Sequence, residues 1–162
     1  MELFKSAKTV RLRSHHDKYL LAGEDEEYVC QDRNGSSRSA RWSVEFADGK
    51  SSSSVVRLKS CYGRYLAASD ETFLLGMVGR KVLQSGLPPV SGGGEPSVVE
   101  WEPEPVRDGT SRVRLKSRHG YFLRANAGLP PWRNSVTHDI PRRAKSQDWV
   151  LWHVEILEVR AA

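Results

Sequence analysis

Cysteine, membrane-length apolar runs and an apolar leader are scarce or missing in this sequence. Only Cys30 and Cys61 occur among 162 residues, which argues against a disulfide-rich secreted scaffold. No apolar run approaches the roughly 20 residues that a membrane helix needs, and the N-terminal stretch lacks the apolar core of a signal peptide. The sequence therefore predicts a cytoplasmic protein with reduced thiols and no membrane association, with the nucleus as the alternative compartment.

Catalytic signatures and helical patterning are also missing. Gly76–Lys81 is too short for a phosphate-binding P-loop and lacks its Ser or Thr, and neither a nucleophile elbow nor a zinc-protease helix is present. All eight prolines lie from Pro88 onward, mostly in two loop-like inserts, and no long segment keeps a helical period. The sequence predicts no enzyme activity, no cofactor and no metal.

One segment occurs three times without gaps. VRLRSHHDKYLLA (10–22) matches VRLKSCYGRYLAA (56–68) and VRLKSRHGYFLRA (113–125). Each copy alternates apolar and polar residues, which is typical of a half-buried strand, and then turns into a second strand. A fixed internal repeat of this kind determines the architecture of a fold.

Each copy is followed by a tryptophan, at Trp42, Trp101 and Trp152, and regularly repeated aromatics are usually core residues. Three units of four short strands cannot be stable alone and must share one core. We therefore predict an all-β, single β-trefoil domain over residues 1–162, with repeats at approximately 1–54, 55–111 and 112–162. Three leucines are predicted to be equivalent and buried: Leu12, Leu58 and Leu115.

The histidines of the first copy, His15-His16-Asp17, suggest a metal or catalytic site. The second copy has Cys61-Tyr62-Gly63 at this place, and the third has Arg118-His119-Gly120. Only the third position is restricted, to Asp or Gly, which tolerate the positive φ of tight turns. The segment is therefore predicted to be a surface turn rather than a metal or catalytic site.

Trp132, in GLPPWRN, has two interpretations. It lies 19 residues after Val113, as Val29 does after Val10 and Leu75 after Val56. This spacing favours a third copy of a core position. The alternative, an exposed aromatic side chain that binds a ligand, stays open.

Positive charge is concentrated in the third copy. Residues 113–145 contain eight basic residues and one acid, a formal charge of +7 within a chain of +5. The first copy instead carries the acidic hairpin Glu24–Glu27. A segment of one sign is either a solvated face or a docking surface for an acidic partner. The candidate partner-binding residues are Arg118, His119, Arg124, Trp132, Arg133, Asn134, Arg142, Arg143 and Lys145.

The whole chain resembles the plant family called domain of unknown function 569. The stretches that carry the resemblance most specifically are MELFKSAKTVRLRSHHDKYLLA, SCYGRYLAASDETFLLGM and GLPPWRNSVTHDIP. That family is classed as similar to fascin-like, actin-cross-linking β-trefoils. The resemblance implies a β-trefoil that binds an acidic protein partner such as actin filaments, but no actin-binding residue can be transferred to this chain.

Ricin-like lectins are the second trefoil branch to consider, and they carry Gln-x-Trp in each repeat. Gln147-Asp-Trp149 matches this motif, whereas Ala40-Arg-Trp42 and Val99-Glu-Trp101 do not. The sequence thus predicts a non-enzymatic β-trefoil binding module with a protein partner, possibly actin. The alternative is a carbohydrate-binding module, and nucleic acid is not expected as a partner.

Overall fold

The structure is a computed structural model that describes residues 2–47, 54–73, 79–87, 96–140 and 144–161. In these ranges the helical structure consists of one α-helical turn, α1 (Glu2–Lys5), and of 3₁₀-helices at Arg38–Ala40, Pro96–Val99 and Ala144–Val150. Within these described ranges no helix is long and apolar enough to span a membrane.

The described residues contain twelve strands, four in each third of the chain, and these form one sheet. The first four are β1 (Ala7–Arg13), β2 (Tyr19–Ala22), β3 (Val29–Asp32) and β4 (Trp42–Phe46). The next four are β5 (Val56–Lys59), β6 (Tyr65–Thr72), β7 (Arg80–Ser85) and β8 (Glu102–Pro105). The last four are β9 (Arg112–Lys116), β10 (Phe122–Ala125), β11 (Val136–Asp139) and β12 (Trp152–Val159).

The sheet closes into a barrel with hairpins attached. β1 pairs with both β4 and β12, β4 pairs with β5, and β9 pairs with both β8 and β12. An isolated β-bridge joins Val56 of β5 to Trp101, the residue immediately before β8. The pairs β2–β3, β6–β7 and β10–β11 form the three outer hairpins. This arrangement confirms the predicted β-trefoil.

The core repeats with the predicted threefold pattern. Leu12, Leu58 and Leu115 are all fully buried, and so are Trp42, Trp101 and Trp152. Each tryptophan donates its indole Nε1–H to a leucine carbonyl at 2.9–3.0 Å, from Trp42 to Leu20, from Trp101 to Leu66 and from Trp152 to Leu123. Both the leucine set and the tryptophan set are therefore structural, as predicted.

The turn after the first strand of each repeat is also the same three times. Asp17, Gly63 and Gly120 have φ values of 59°, 78° and 79°. In the first repeat the amide of Asp17 donates to the Ser14 carbonyl at 3.1 Å, and the other two repeats contain the same bond. Since only Gly, Asp and Asn adopt this conformation readily, the turn explains why the third position is Asp or Gly.

Hydrogen bonds from a buried polar side chain connect each repeat to the one before it. In the first repeat Gln31 Nε2 donates to the Asn126 carbonyl of the third repeat at 2.9 Å. In the second repeat Gln84 Nε2 donates to the Gly23 carbonyl at 3.1 Å. In the third repeat His138 occupies the equivalent place. Its Nε2 lies 2.7 Å from the Ser69 carbonyl, and because a carbonyl only accepts, Nε2 carries the proton.

Candidate functional site

A pocket of about 220 Å³ opens beside the third hairpin. β10 and β11 form one wall, the loop between them carries Trp132, and the 3₁₀-helix Ala144–Val150 contributes Trp149. We call it the Trp132–Trp149 pocket. Its polar and aromatic lining comes from Arg124, Asn126, Trp132, Thr137, Asp139 and Trp149, and Gly79 and Ala127 complete it.

The expectation that Trp132 is a core residue is wrong. Trp132 is only half-buried and lies against Phe73, with ring centroids 5.1 Å apart. The core position equivalent to Val29 is Val136, because Ala125 pairs with Val136 as Ala22 pairs with Val29. The β10–β11 loop is longer than the β2–β3 loop, so counting from the start of the repeat gave the wrong residue. Leu75, which shared that count, lies outside the described residues.

Trp149 is held in place by two neighbours. The Arg124 guanidinium carbon lies 5.1 Å from the centre of the Trp149 ring, within the range of a cation–π contact. The His16 ring meets Trp149 edge-on at 5.0 Å, and His16 Nε2 lies 3.0 Å from the Ala125 carbonyl. Burial lowers the pKa of His16, which favours the neutral imidazole. The indole therefore forms a fixed wall of the pocket.

Three polar side chains offer hydrogen-bonding groups to the pocket. Asn126 Nδ2 donates to Thr137 Oγ1 and to Ser135 Oγ, each at 3.0 Å. Among the described residues, Asn126 Oδ1 receives no hydrogen bond and the Thr137 hydroxyl donates none. Asp139 Oδ1 accepts from the Ile140 amide at 2.7 Å, and Asp139 Oδ2 lies 3.9 Å from Arg124 Nη1. Donors and acceptors thus stand side by side between two tryptophans.

The internal repeat shows that this polarity is not required by the fold. Arg124 pairs with Thr137, and in the same register of the other hairpins Leu21 pairs with Cys30 and Ala67 with Leu83. Burial lowers the pKa of Arg124, and its Nε has no hydrogen-bond partner among the described residues. A desolvated, incompletely bonded guanidinium costs stability. The departure from symmetry therefore makes this hairpin a candidate site.

His16 gives the first testable prediction. We expect His16→Ala to lower the free energy of unfolding by about 1 kcal/mol, because it loses a hydrogen bond and the contact with Trp149. His15→Ala should stay within about 0.5 kcal/mol, as is usual for exposed positions. Urea unfolding of both variants at pH 7.5 measures the difference. Equal stability of the two variants would mean that His16 is only a turn residue.

The basic segment does not form one cationic face within the described residues. Lys116 Nζ lies 3.7 Å from Glu104, whose strand β8 pairs with β9. Arg118 and His119 both contact Asp70, at 3.0 Å and 2.6 Å. These acids come from the second repeat, so the charge count within residues 113–145 could not include them. Arg124 lies in the Trp132–Trp149 pocket.

The remaining candidate residues lie in separate places. Arg133 and Asn134 line a second groove, next to the Trp132–Trp149 pocket. Lys145 belongs to the 3₁₀-helix Ala144–Val150, and its side chain is not described. Arg142 and Arg143 lie outside the described residues.

The acidic hairpin predicted at Glu24–Glu27 is a loop between β2 and β3. Asp25 Oδ1 accepts from the amides of Glu27 and Tyr28, each at 3.0 Å, and these bonds lower the pKa of Asp25. The loop borders a groove of about 610 Å³ that also contains Arg64, Asp70 and Arg118. Because both signs of charge line this groove, it favours neither an anionic nor a cationic ligand.

Ser117 and His138 have the residue types of a catalytic pair, but their arrangement is structural. Ser117 Oγ lies 3.3 Å from His138 Nδ1. In the other two repeats the equivalent serine bonds a glutamine. Ser14 Oγ donates to Gln31 Oε1 and Ser60 Oγ donates to Gln84 Oε1, each at 2.9 Å. Glutamine cannot act as a general base, so the contact serves the fold in all three repeats. In the described part of the chain no group of three or more His, Cys, Asp or Glu could hold a metal ion.

The Gln147-Asp-Trp149 match to the lectin motif is out of register. The tryptophan equivalent to Trp42 and Trp101 is Trp152, as the shared indole hydrogen bond shows. The corresponding triplet is therefore Val150-Leu-Trp152. Trp149 is an additional tryptophan three residues earlier, and it lines the pocket instead of the core.

Asn126, Thr137, Asp139 and Trp149 are not among the binding residues predicted from the sequence, although Trp149 belongs to the single Gln-x-Trp match. Two signals could have found them. Arg124 and Asn126 flank the repeated Ala125, at positions where the first repeat has Leu21 and Gly23. Trp149 has no counterpart in the other repeats, which have Ser39 and Val98 there. Departure from the internal repeat is thus a better guide to this site than a motif.

Solved structures with this fold are similar over nearly the whole chain. A designed threefold-symmetric protein, ThreeFoil, matches with a TM-score of 0.68 and 17% identity, over 93% of this chain and 99% of its own. The Haemophilus ducreyi cytolethal distending toxin matches with a TM-score of 0.66 and 16% identity, over 96% and 88%. A Clostridium perfringens endo-β-galactosidase that releases GlcNAcα1-4Gal matches with a TM-score of 0.65 and 18% identity, over 93% of this chain but 32% of the enzyme. At these identities the likeness shows the fold alone.

No curated protein matches this chain. A family model does match, over residues 1–152, and its description is a β-trefoil domain of unknown function. The match covers the first eleven strands and ends at Trp152, the first residue of β12. The chain therefore belongs to the family named domain of unknown function 569, the β-trefoil family that its repeats resemble.

Proposed function

We propose that this β-trefoil is a non-enzymatic binding module whose Trp132–Trp149 pocket binds one ring of a carbohydrate. The observation that carries the proposal is a difference between the repeats. At the register where the first two repeats have an apolar pair, the third has Arg124 and Thr137, which lie between two half-buried tryptophans. A sugar ring has an apolar C–H face that stacks on an indole and hydroxyl groups at its edge. Pockets with apolar walls and a few fixed polar groups suit such a ligand.

The polar groups have the right chemistry for vicinal hydroxyls. The Asp139 carboxylate and Asn126 Oδ1 accept hydrogen bonds, whereas the Arg124 guanidinium and the Thr137 hydroxyl donate them. Hydrogen bonds that involve an ionised group are about twice as strong as neutral ones. The size also fits, because 220 Å³ accommodates one monosaccharide but not an extended chain.

An acidic protein such as an actin filament, which the family resemblance favours, receives less support from the geometry. Three of the basic candidates, Arg118, His119 and Arg124, already contact carboxylates of this chain. Because these groups face carboxylates of this chain, with Asp70 shared between Arg118 and His119, they do not form one free cationic surface. A filament co-sedimentation assay at low and moderate salt tests this alternative directly.

A glycan array followed by calorimetry tests the proposal. We expect selective glycan binding, and we expect Trp132→Ala to weaken it at least about tenfold, equivalent to about 1.4 kcal/mol. Leu129→Ala is the matched control, since Leu129 is 76% exposed in the same loop and does not line the pocket. A blank array together with salt-sensitive filament binding would favour the acidic protein partner. Equal glycan binding by both variants would place the sugar elsewhere.

A further inference from the structure

A second concavity adjoins the Trp132–Trp149 pocket. It is an open groove of about 540 Å³, lined by Lys18, Asp32, Arg33, Arg133 and Asn134. Ala127 lines both the groove and the pocket. Trp132 lines the pocket, and Arg133, the next residue in the chain, lines the groove. A ligand longer than one ring can therefore reach from one into the other.

The groove has an excess of positive charge. Three cations, Lys18, Arg33 and Arg133, stand against one carboxylate, Asp32. Asp32 Oδ1 accepts from the Asn34 amide at 2.9 Å, so part of its hydrogen-bonding capacity is used by its own loop. Like charges that converge on one groove attract an anion more strongly than scattered charges do.

Eight of the fifteen arginines among the described residues have a carboxylate partner, whereas these three cations have none there. Within the described ranges none of Lys18, Arg33 and Arg133 forms an ion pair, whereas Arg11, Arg41, Arg57, Arg80, Arg112 and Arg118 do. Lys18 Nζ instead donates to Asn134 Oδ1 at 2.8 Å, and Arg133 Nε makes a long contact of 3.4 Å to the Gly128 carbonyl. Both contacts have neutral acceptors, so the positive charge remains uncompensated.

The three cations also come from different parts of the fold. Lys18 lies in the turn before β2, Arg33 follows β3, and Arg133 lies in the β10–β11 loop. The contact between the first and third repeats brings them together. In this contact the backbone N–H of Gln31 donates to the backbone carbonyl of Asn134 at 2.9 Å. The arrangement is thus built by the fold and is not a run of like charges in the sequence.

We propose that this groove binds the carboxylate of an acidic oligosaccharide, a uronic acid residue next to the ring held in the Trp132–Trp149 pocket. The inference rests on the proposed function and specifies its ligand class. Guanidinium groups hold carboxylates through paired hydrogen bonds, and Arg33 and Arg133 supply two guanidinium groups to the groove. Lys18 contributes a third positive charge near the same groove.

The test compares a uronic acid tetrasaccharide with its methyl ester, which differ in charge and hardly in shape. By calorimetry we expect the acid to bind about tenfold more tightly than the ester at low salt. The preference should shrink as salt is raised, because the screening length falls below about 10 Å above 0.1 M. In the double variant Arg33→Gln/Arg133→Gln, the affinity for the acid should fall to that for the ester.

The double variant Arg38→Gln/Arg107→Gln is the matched control. Both arginines are exposed and line neither cavity, and the change removes the same two charges. The control variant should keep the preference for the acid. Equal binding of acid and ester by the unmodified protein would overturn the anion subsite and leave the sugar pocket in place. Preference for the acid that is lost in the double variant but unaffected by Trp132→Ala would support the anion subsite and overturn the sugar pocket. Loss of the preference in Arg38→Gln/Arg107→Gln as well would assign it to net charge and overturn the subsite.

Discussion

Leu58→Ala is expected to lower the free energy of unfolding by about 2–5 kcal/mol. Leu58 is fully buried in the common core together with Leu12 and Leu115, so truncation leaves a cavity as well as removing apolar contacts. Since the three leucines occupy equivalent positions, Leu12→Ala and Leu115→Ala should fall in the same range. Urea unfolding at neutral pH measures all three variants.

The control for this series is Leu87→Ala, because Leu87 is 49% exposed. Its cost should stay within about 0.5 kcal/mol. If one core leucine cost no more than Leu87, that repeat would not share the core equally with the other two, and the threefold packing would be wrong in solution.

His138→Gln is expected to reduce the loss of stability that we predict for the unmodified protein between pH 6.5 and pH 4. His138 is wholly buried, and burial lowers its pKa from 6.5 to about 4. The unfolded chain therefore binds a proton below pH 6.5 that the folded chain does not bind until about pH 4. The stabilising contribution is complete above pH 6.5 and is lost as the pH falls through this window, by about 3 kcal/mol in total.

Glutamine suits the replacement because Gln31 and Gln84 fill the equivalent positions in the other repeats. Its oxygen accepts from Ser117 and its amide donates to the Ser69 carbonyl, so the hydrogen bonds of the neutral histidine are kept. Urea unfolding from pH 7.5 to 4 for both proteins measures the effect, and an NMR titration of the imidazole gives the pKa directly. Parallel pH profiles for the two proteins would show that His138 is not the group responsible.

Those parts of the fold that repeat could be predicted from the sequence. The three copies place a leucine, a serine and a turn glycine or aspartate at fixed intervals, and the requirement for a positive φ is local to three residues. Such features depend on backbone geometry and on burial along one strand. They hold wherever the repeat is intact, which is why Leu12, Leu58 and Leu115 were identified correctly.

The candidate site could not be predicted in the same way because it depends on loop length and on contacts between repeats. Trp132 was misplaced because extra residues in the β10–β11 loop shift the count. The charge of Arg118 was overestimated because Asp70, its partner, lies 48 residues earlier in the chain. Arg33 was missed because its relation to Arg133 exists only after the first and third repeats meet.

The hydrogen bonds of Gln31, Gln84 and His138 run in one rotational sense, from each repeat to the one before it. Three units joined head to tail in this way close after three steps and contain three interfaces instead of the two of an open row. Removing any one unit therefore breaks two of the three interfaces and leaves donors and acceptors without partners on both survivors. We therefore expect ring closure to favour all-or-none unfolding, and separate chains carrying one unit each would satisfy the same bonds as a cyclic trimer.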